Sequence, residues 1–232
     1  MKITVVGASG LIGTKVVEVL KIERHDVVAS SRSSGVDVLT GEGLDNALEG
    51  ADALVDVTNS PSFEPDAVLA FFTTSATNLV DAAKRAGVGH YVALSIVGVD
   101  GLPDSPYFRA KVAQEKIITE SGMPYSIVRA TQFAEFADAI TESLTLENEV
   151  RVPDALIQPI PADRVAAAVA YAAAGRPTIG IANVGGPRKI TFEQLARDTL
   201  ARKGDDAKTV VVDPEARYFS ATLGTRSLVT PD

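Results

Sequence analysis

Apolar and amphipathic runs alternate along this chain from its first residue. Lys2 to Val6 is a short β-rich run that ends in a glycine, and Leu11 to Ile22 repeats apolar residues at helical spacing. Asp26 to Ala29 reads as a strand, Leu44 to Leu48 as a short helix, and Ala53 to Val57 as a strand. Pro65 to Ala86 is a long helix with Gly87 at the C-cap position. His90 to Ile96 is a strand. Ser105-Pro106 then opens a helix, with serine at N-cap and proline at N1, that is expected to run to Gly122 before the strand Tyr125 to Arg129.

This order predicts an α/β fold, a doubly wound parallel sheet with helices on both faces. The strand Ala53–Val57 is nearly all apolar, as burial on both faces requires. Past Phe133 the rhythm loosens. A helix is expected over Phe133 to Leu144, an irregular proline-punctuated stretch over Arg151 to Ile160, and a helix over Ala162 to Ala174. A strand follows at Ile179 to Val184, then a helix from an N-cap at Thr191 to Lys203, and a last β-like run at Thr209 to Val212. The chain reads as a single domain, residues 1–232. Residues 1–130 or so form its core, and 131–160 with 185–232 form a small C-terminal lobe over a ligand.

Composition narrows the chemistry. With 46% apolar residues the 232-residue chain is expected to be globular. A net charge of −8 makes nucleic acid an unfavourable partner. There is no cysteine, which excludes disulfides and thiolate catalysis, and only His25 and His90 are available as histidine ligands, so no metal site is expected. No signal-peptide layout or membrane span is legible, and a cytoplasmic protein is expected. The run Ser227-Leu228-Val229-Thr230-Pro231-Asp232 ends abruptly, and a further C-terminal segment is expected.

The strongest motif is Gly7-Ala8-Ser9-Gly10-Leu11-Ile12-Gly13, between the first strand and the first helix. That is the context of a dinucleotide-binding turn. Gly7 permits the sharp exit from the strand, Gly10 lets a pyrophosphate approach the backbone, and Gly13 allows close helix packing. The amides near Leu11 and Ile12, with Ser9 beside them, meet the phosphates at the positive end of the helix dipole. An NAD site places a carboxylate after the second strand. Here Ser31-Arg32-Ser33 follows instead, a guanidinium between hydroxyls that suits a 2′-phosphate. NADP(H) is therefore expected as cofactor, with NAD(H) second. Thr58 and Asn59 end a strand and are expected along the adenosine or ribose, although Asn-Ser-Pro is also an ordinary turn.

These motifs, with Ser95 at a strand end and Tyr107-Phe108-Arg109-Ala110-Lys111, resemble the short-chain dehydrogenase/reductases of the atypical, NmrA-like branch. Arg129-Ala130-Thr131-Gln132-Phe133 and Asn183-Val184-Gly185-Gly186-Pro187 fit the same resemblance. It implies a Rossmann fold with a small substrate lobe and places Thr131 at the nicotinamide end, with Gln132 or Phe133 toward substrate. Tyr107 and Lys111 lie four apart and share a helix face. A nearby ammonium would lower the phenol's pKa and make Tyr107 the acid–base group, with Ser95 binding the substrate oxygen and Lys111 the ribose. Each residue also has a plainer reading. Tyr107 packs the helix start, Lys111 pairs at the surface with Glu115, and Ser95 satisfies a local amide. The Ser95-to-Tyr107 spacing is shorter than is usual in the family.

Two functions follow as expectations. One is an oxidoreductase passing hydride to a small carbonyl or quinone-like substrate. The other is an NADP(H)-binding redox sensor that changes its contacts with a partner protein. A sugar-nucleotide epimerase fits less well, because fewer than about a hundred residues follow Phe133 to build a lobe. Phe71 and Phe72 read as packing residues, with a homodimer surface there as a further expectation. Asp163 reads as a helix N-terminal acid, and the charges around Glu142–Arg151 as a solvated face.

Overall fold

The computed structural model describes residues 1–231, so Asp232 lies outside the described residues. The first half alternates β1 (Lys2–Val6), α1 (Leu11–Ile22), β2 (Asp26–Ser30), α2 (Leu44–Leu48), β3 (Ala53–Asp56), α3 (Pro65–Ala86), β4 (His90–Ile96), α4 (Pro106–Glu120) and β5 (Tyr125–Ala130). The second half adds α5 (Ala137–Ser143), β6 (Thr145–Leu146), β7 (Glu149–Val152), β8 (Leu156–Ile157), α6 (Ala162–Ala174) and β9 (Gly180–Val184). It closes with β10 (Ile190–Thr191), α7 (Phe192–Lys203), β11 (Thr209–Val212), β12 (Arg217–Tyr218) and β13 (Ala221–Thr222).

The central sheet has six strands in the order β2-β1-β3-β4-β5-β9, all pairs parallel. Alternation along each strand sends side chains to opposite faces. Tyr91, Ala93 and Ile127 join the core under α3 and α4, whereas Ile3, Val5, Val92 and Val128 join the core under α1 and α6. The local signals behave as expected. Gly87 caps α3 in the left-handed region at φ 69, the Ser105 hydroxyl accepts from the Phe108 amide, and the Thr191 hydroxyl accepts from the Gln194 amide.

The lobe sits beside the sheet as small strand pairs around a third core that includes Ile140, Val150, Val152, Ile157, Phe192 and Leu228. Here the sequence expectations need correction. Arg151–Ile160 is irregular only in part, because its residues 151–152 belong to β7, which pairs parallel with β11, and 156–157 form β8, which pairs antiparallel with β10. The stretch around Glu142–Arg151 is not only a solvated face, since Val150 is fully buried between Glu149 and the exposed Arg151. Strands of two to four residues are too short for a period of two to register in the sequence. The helix expected over Phe133–Leu144 is a short 3₁₀ turn, Ala134–Phe136, followed by α5. The helix expected to reach Gly122 stops at Glu120. Phe71 and Phe72 are buried in the chain's own core and so offer no face to a second copy. No helix among the described residues is long and apolar enough to cross a membrane.

Candidate cofactor and active site

The glycine turn is shaped by close backbone approach. Gly7 adopts φ +89, and a Cβ there would stand 2.8 Å from the Val57 carbonyl carbon and oxygen, so the turn presses against the loop after β3. A Cβ on Gly13 would overlap the Gly7 carbonyl oxygen and lie 2.7 Å from the Ala8 Cα. Gly13 therefore allows α1 to close on its own turn rather than on the sheet. Gly10 is the N-cap of α1, exposed, and no side chain caps the helix there. The first helical amides, beginning at Leu11 and Ile12, are thus left to an external acceptor. Ser9 is exposed beside them, Leu11 is exposed at the mouth, and Ile12 is buried in the core. The cradle excludes side chains and presents uncapped amides, which fits a dinucleotide diphosphate.

Across this mouth Lys15 Nζ lies 2.5 Å from Asp163 Oδ1, and Glu135 caps α6 by accepting from the Ala162 amide at 2.9 and 3.1 Å. Asp163 is thus tied to α1 as well as to its own helix dipole.

After β2 the hydroxyls of Ser31 and Ser33 lie 2.8 Å apart, and Ser31 and Ser34 form a reciprocal capping box around a short 3₁₀ turn that carries Arg32. An acid does stand near this loop, contrary to the sequence reading. Asp37 Oδ2 is 3.6 Å from Arg32 Nε, while its Oδ1 accepts from the Leu39 amide at 2.7 Å. The chain folds back after Gly35, which adopts φ 81, and brings a later residue to the strand end. Both groups are solvated, so the pair is weak and easily exchanged.

The loop after β3 is organised by Asp56, a buried carboxylate missed in the sequence. Asp56 Oδ1 accepts from the Thr58 amide and hydroxyl at 3.0 and 2.7 Å, and Oδ2 accepts from Tyr91 Oη at 2.9 Å and Gln114 Nε2 at 2.8 Å. Its signal was an acid closing an otherwise apolar strand. The Thr58 hydroxyl is therefore spent within the loop. Asn59 is exposed and accepts from Tyr107 Oη at 2.8 Å.

Ser95, Tyr107 and Lys111 gather on the α4 side of the sheet. Alternation places Ser95 on the same face of β4 as Tyr91 and Ala93, which belong to the core under α3 and α4. Its hydroxyl is buried and has no hydrogen-bond partner. The plainer reading, a hydroxyl satisfying a local amide, is thereby overturned. Lys111 is also no surface residue, being only 4% exposed. Its Nζ donates to the Leu94 carbonyl at 2.9 Å and to Gln114 Oε1, and it lies 4.6 Å from the centroid of the Phe72 ring. Burial lowers its pKa to about 8 against the opposing pull of Asp56 and Glu115. Glu115, expected to pair with Lys111, instead holds Arg129 in a bidentate pair at 2.9 and 2.6 Å, and Arg129 reaches on to Asp100 at 3.1 Å.

Tyr107 departs from expectation in its electrostatics. Its ring sits among Phe63, Phe72, Phe108 and Phe219, with centroids 5.4 to 6.1 Å away. Burial pushes its pKa up to about 12, the reverse of the lowering that a neighbouring ammonium would give. Lys111 turns inward to the sheet and leaves the phenol protonated. Thr131 is buried, and its hydroxyl donates to the Gln158 carbonyl at 2.5 Å. Its side chain is accordingly occupied inside the protein, because the loop after β5 is stitched to the segment before α6. Gln132 next to it has a buried Oε1 without a partner, while the Phe133 ring lies 5.4 Å from that of Phe136.

Comparison with known proteins agrees with this geometry. A family model described as NAD(P)H-binding matches residues 7–175. A "(4-alkanoyl-5-oxo-2,5-dihydrofuran-3-yl)methyl phosphate reductase" of Streptomyces griseus is 34% identical over 145 residues, 56% of this chain and 48% of that protein. The photosystem II assembly factor Ycf39 of Synechocystis is 25% identical over 149 residues, 58% of this chain and 46% of the relative. The chain thus spans about half the length of the curated relatives it matches. Among solved structures, an NADPH-dependent quinone oxidoreductase from Escherichia coli, complexed with NADPH, superposes with a TM-score of 0.70 at 22% identity. That superposition covers 91% of this chain and 77% of the other. With a glycine cradle at residues 7–13 and a family match over most of its length, the chain belongs to the NAD(P)H-binding family.

Proposed function

We propose that the protein is an NADP(H)-dependent oxidoreductase of the atypical short-chain dehydrogenase type, in the NmrA-like branch, that reduces a small carbonyl or quinone-like compound. The observation that carries this reading is the Ser95 hydroxyl, buried without a partner at the carboxyl end of β4, on the face shared with α4. A native hydroxyl left unsatisfied in such a place calls for an external acceptor or donor. The similar reductase and the NADPH-dependent neighbour support the same class of reaction.

In this reading Gly7, Gly10 and Gly13 let the diphosphate reach the backbone amides at the start of α1, and Arg32 with Ser31 and Ser33 meets the 2′-phosphate. Asn59 and Thr58 border the ribose on the β3 side. A bound NADPH supplies the hydride. Ser95 Oγ donates to the substrate oxygen and fixes the carbonyl. Tyr107, held protonated by burial, gives that oxygen its proton, so carbonyl, hydride and proton sum to an alcohol. Lys111 supplies positive charge beneath the site, on the Leu94 carbonyl next to Ser95.

The test is NADPH oxidation with a panel of carbonyl compounds and quinones. Lys111→Ala should lower the rate by removing the charge beneath Ser95, and Tyr107→Phe should lower mainly the rate as well. No oxidation above background with any substrate would overturn the enzymatic reading. The second reading, a redox sensor, draws on the Tyr107 hydroxyl being engaged by Asn59 and on the likeness to an assembly factor. It expects NADPH binding without turnover and a partner contact that changes with the cofactor's redox state.

A further inference from the structure

Tyr107 is roofed by two partly exposed rings, one of which, Phe219, also meets the buried rings of Tyr218 and Phe108. Phe63 is 58% exposed and Phe219 is 38% exposed, yet their centroids lie 5.5 and 5.4 Å from that of Tyr107 and 5.7 Å from each other. Phe219 lies nearly parallel to the Tyr107 ring, with an interplanar angle of 26°. It is delivered by the hairpin of β12 and β13, in which Tyr218 pairs with Ala221 and leaves a two-residue tip. Both tip residues are in the left-handed region, Phe219 at φ 48 and Ser220 at φ 67. A two-residue tip of this kind favours Asn-Gly, and a phenylalanine is disfavoured there. The base of the hairpin is firm, because Tyr218 is buried edge-on against Phe192 at 5.4 Å and Ala221 is buried beside it. A ring at a disfavoured φ, half in solvent, stacked on the proposed proton donor, occupies ground that a substrate needs.

We infer that the Phe219 ring holds the place of the substrate's own ring, so that the site takes planar, uncharged aromatic carbonyl compounds, with Phe63 as the side wall. The inference rests on Tyr107 being the proton donor of the function proposed above. A flat ring replaces Phe219 on Tyr107 with ring contact kept, whereas an acyclic chain forfeits it. A phosphate or carboxylate placed among Phe63, Phe72, Phe108 and Tyr107 would be stripped of water against aromatic walls. Tyr107 Oη already faces an uncharged amide, Asn59, and the Lys111 ammonium behind the Phe72 ring is engaged by the Leu94 carbonyl and Gln114.

Calorimetric titration of the cofactor-free chain with menadione, a planar quinone, and with an acyclic dialkyl ketone of matching size tests this. Menadione should bind about tenfold or more tightly than the ketone. Phe219→Gly, which suits the left-handed tip, should tighten menadione by about two- to tenfold, the range of a lost ring pair. Phe63→Ala should weaken menadione by a similar factor. Equal binding of the two compounds, or a Phe219→Gly chain that binds menadione no better than the parent, overturns the inference. A parallel NADPH titration separates the two proposals. NADPH binding without menadione binding sinks the ring site alone, and menadione binding as described without NADPH binding upholds the ring site while sinking the cofactor reading.

Discussion

Lys111 Nζ donates to the backbone carbonyl of Leu94 across 2.9 Å, one residue before the unpartnered Ser95. This bond ties α4 to the carboxyl end of β4 and fixes an ammonium inside the protein. Gln114 stands between that ammonium and Asp56, accepting from Lys111 and donating to Asp56. The arrangement trades the solvation of a charge for a fixed place beside the proposed reaction centre.

That trade makes stability depend on pH. The folded-state pKa of Lys111 is about 8, below the free value of 10.5, so between these values the unfolded chain binds more protons than the folded one. Stability should therefore rise as pH increases from about 8 toward 10, by at most about 3 kcal/mol. Above pH 10 the trend should reverse, because Tyr107, with its pKa pushed to about 12, resists the ionisation available to it in the unfolded chain. Urea denaturation across this range, in the parent and in Lys111→Met, is the measurement. The rise belongs to Lys111 if the variant lacks it, and a variant with the same rise assigns it elsewhere.

Ser95→Ala should separate catalysis from folding. A buried hydroxyl without a partner contributes no hydrogen bond to stability, so its removal should leave the melting temperature unchanged or slightly higher. Turnover should fall about a hundredfold or more if the hydroxyl binds the substrate oxygen. Ser126 is the contrasting control. Its hydroxyl meets His90 Nε2 at 2.8 Å and accepts from the Thr178 amide at 3.0 Å, so Ser126→Ala should destabilise by about 1–3 kcal/mol.

Arg32 and Asp37 should set the choice of cofactor. Arg32→Ala is expected to weaken NADPH about ten- to hundredfold and to leave NADH nearly unchanged, since only the 2′-phosphate needs the guanidinium. Asp37→Asn removes the facing charge while keeping an oxygen for the Leu39 amide, and should tighten NADPH. Fluorimetric titrations with both cofactors read this directly. Equal losses for NADPH and NADH in Arg32→Ala would rule out a 2′-phosphate role.

The Arg129–Glu115 pair should be the most sensitive charge pair under the sheet. Both side chains are about nine-tenths buried and meet through two hydrogen bonds, whereas the Asp100 contact is largely solvated. Glu115→Gln should cost about 3–5 kcal/mol by leaving a buried guanidinium short of its counter-charge. Asp100→Asn should cost under about 1 kcal/mol. Chemical denaturation of both variants checks the contrast, and comparable losses would show that burial does not govern the pair.

The glycine turn, the caps at Ser105, Gly87 and Thr191, and the six parallel strands were legible along the chain because each is set by neighbours within a few residues. The lobe strands β7 and β8 were not, since four or two residues carry no readable period. Asp37 was missed because a left-handed Gly35 folds the chain back and brings it to Arg32 from outside the positions adjoining the strand. Phe219 had no signal at all, as nothing in Arg217–Thr222 shows which ring its tip will meet.

Sequence alone determined where the backbone amides of a dinucleotide cradle would lie, since spaced glycines act through their own missing Cβ atoms and through the helix they begin. Tertiary structure alone decided the surroundings of the candidate reactive side chains. It turned Lys111 inward toward Leu94 and Gln114, left Ser95 unpartnered, and set the half-buried Tyr107 against Phe63 and Phe219. The physical reason is that protonation and hydrogen-bond state depend on desolvation and on groups distant in the chain, and these are brought together only when the helices and the lobe pack on the sheet.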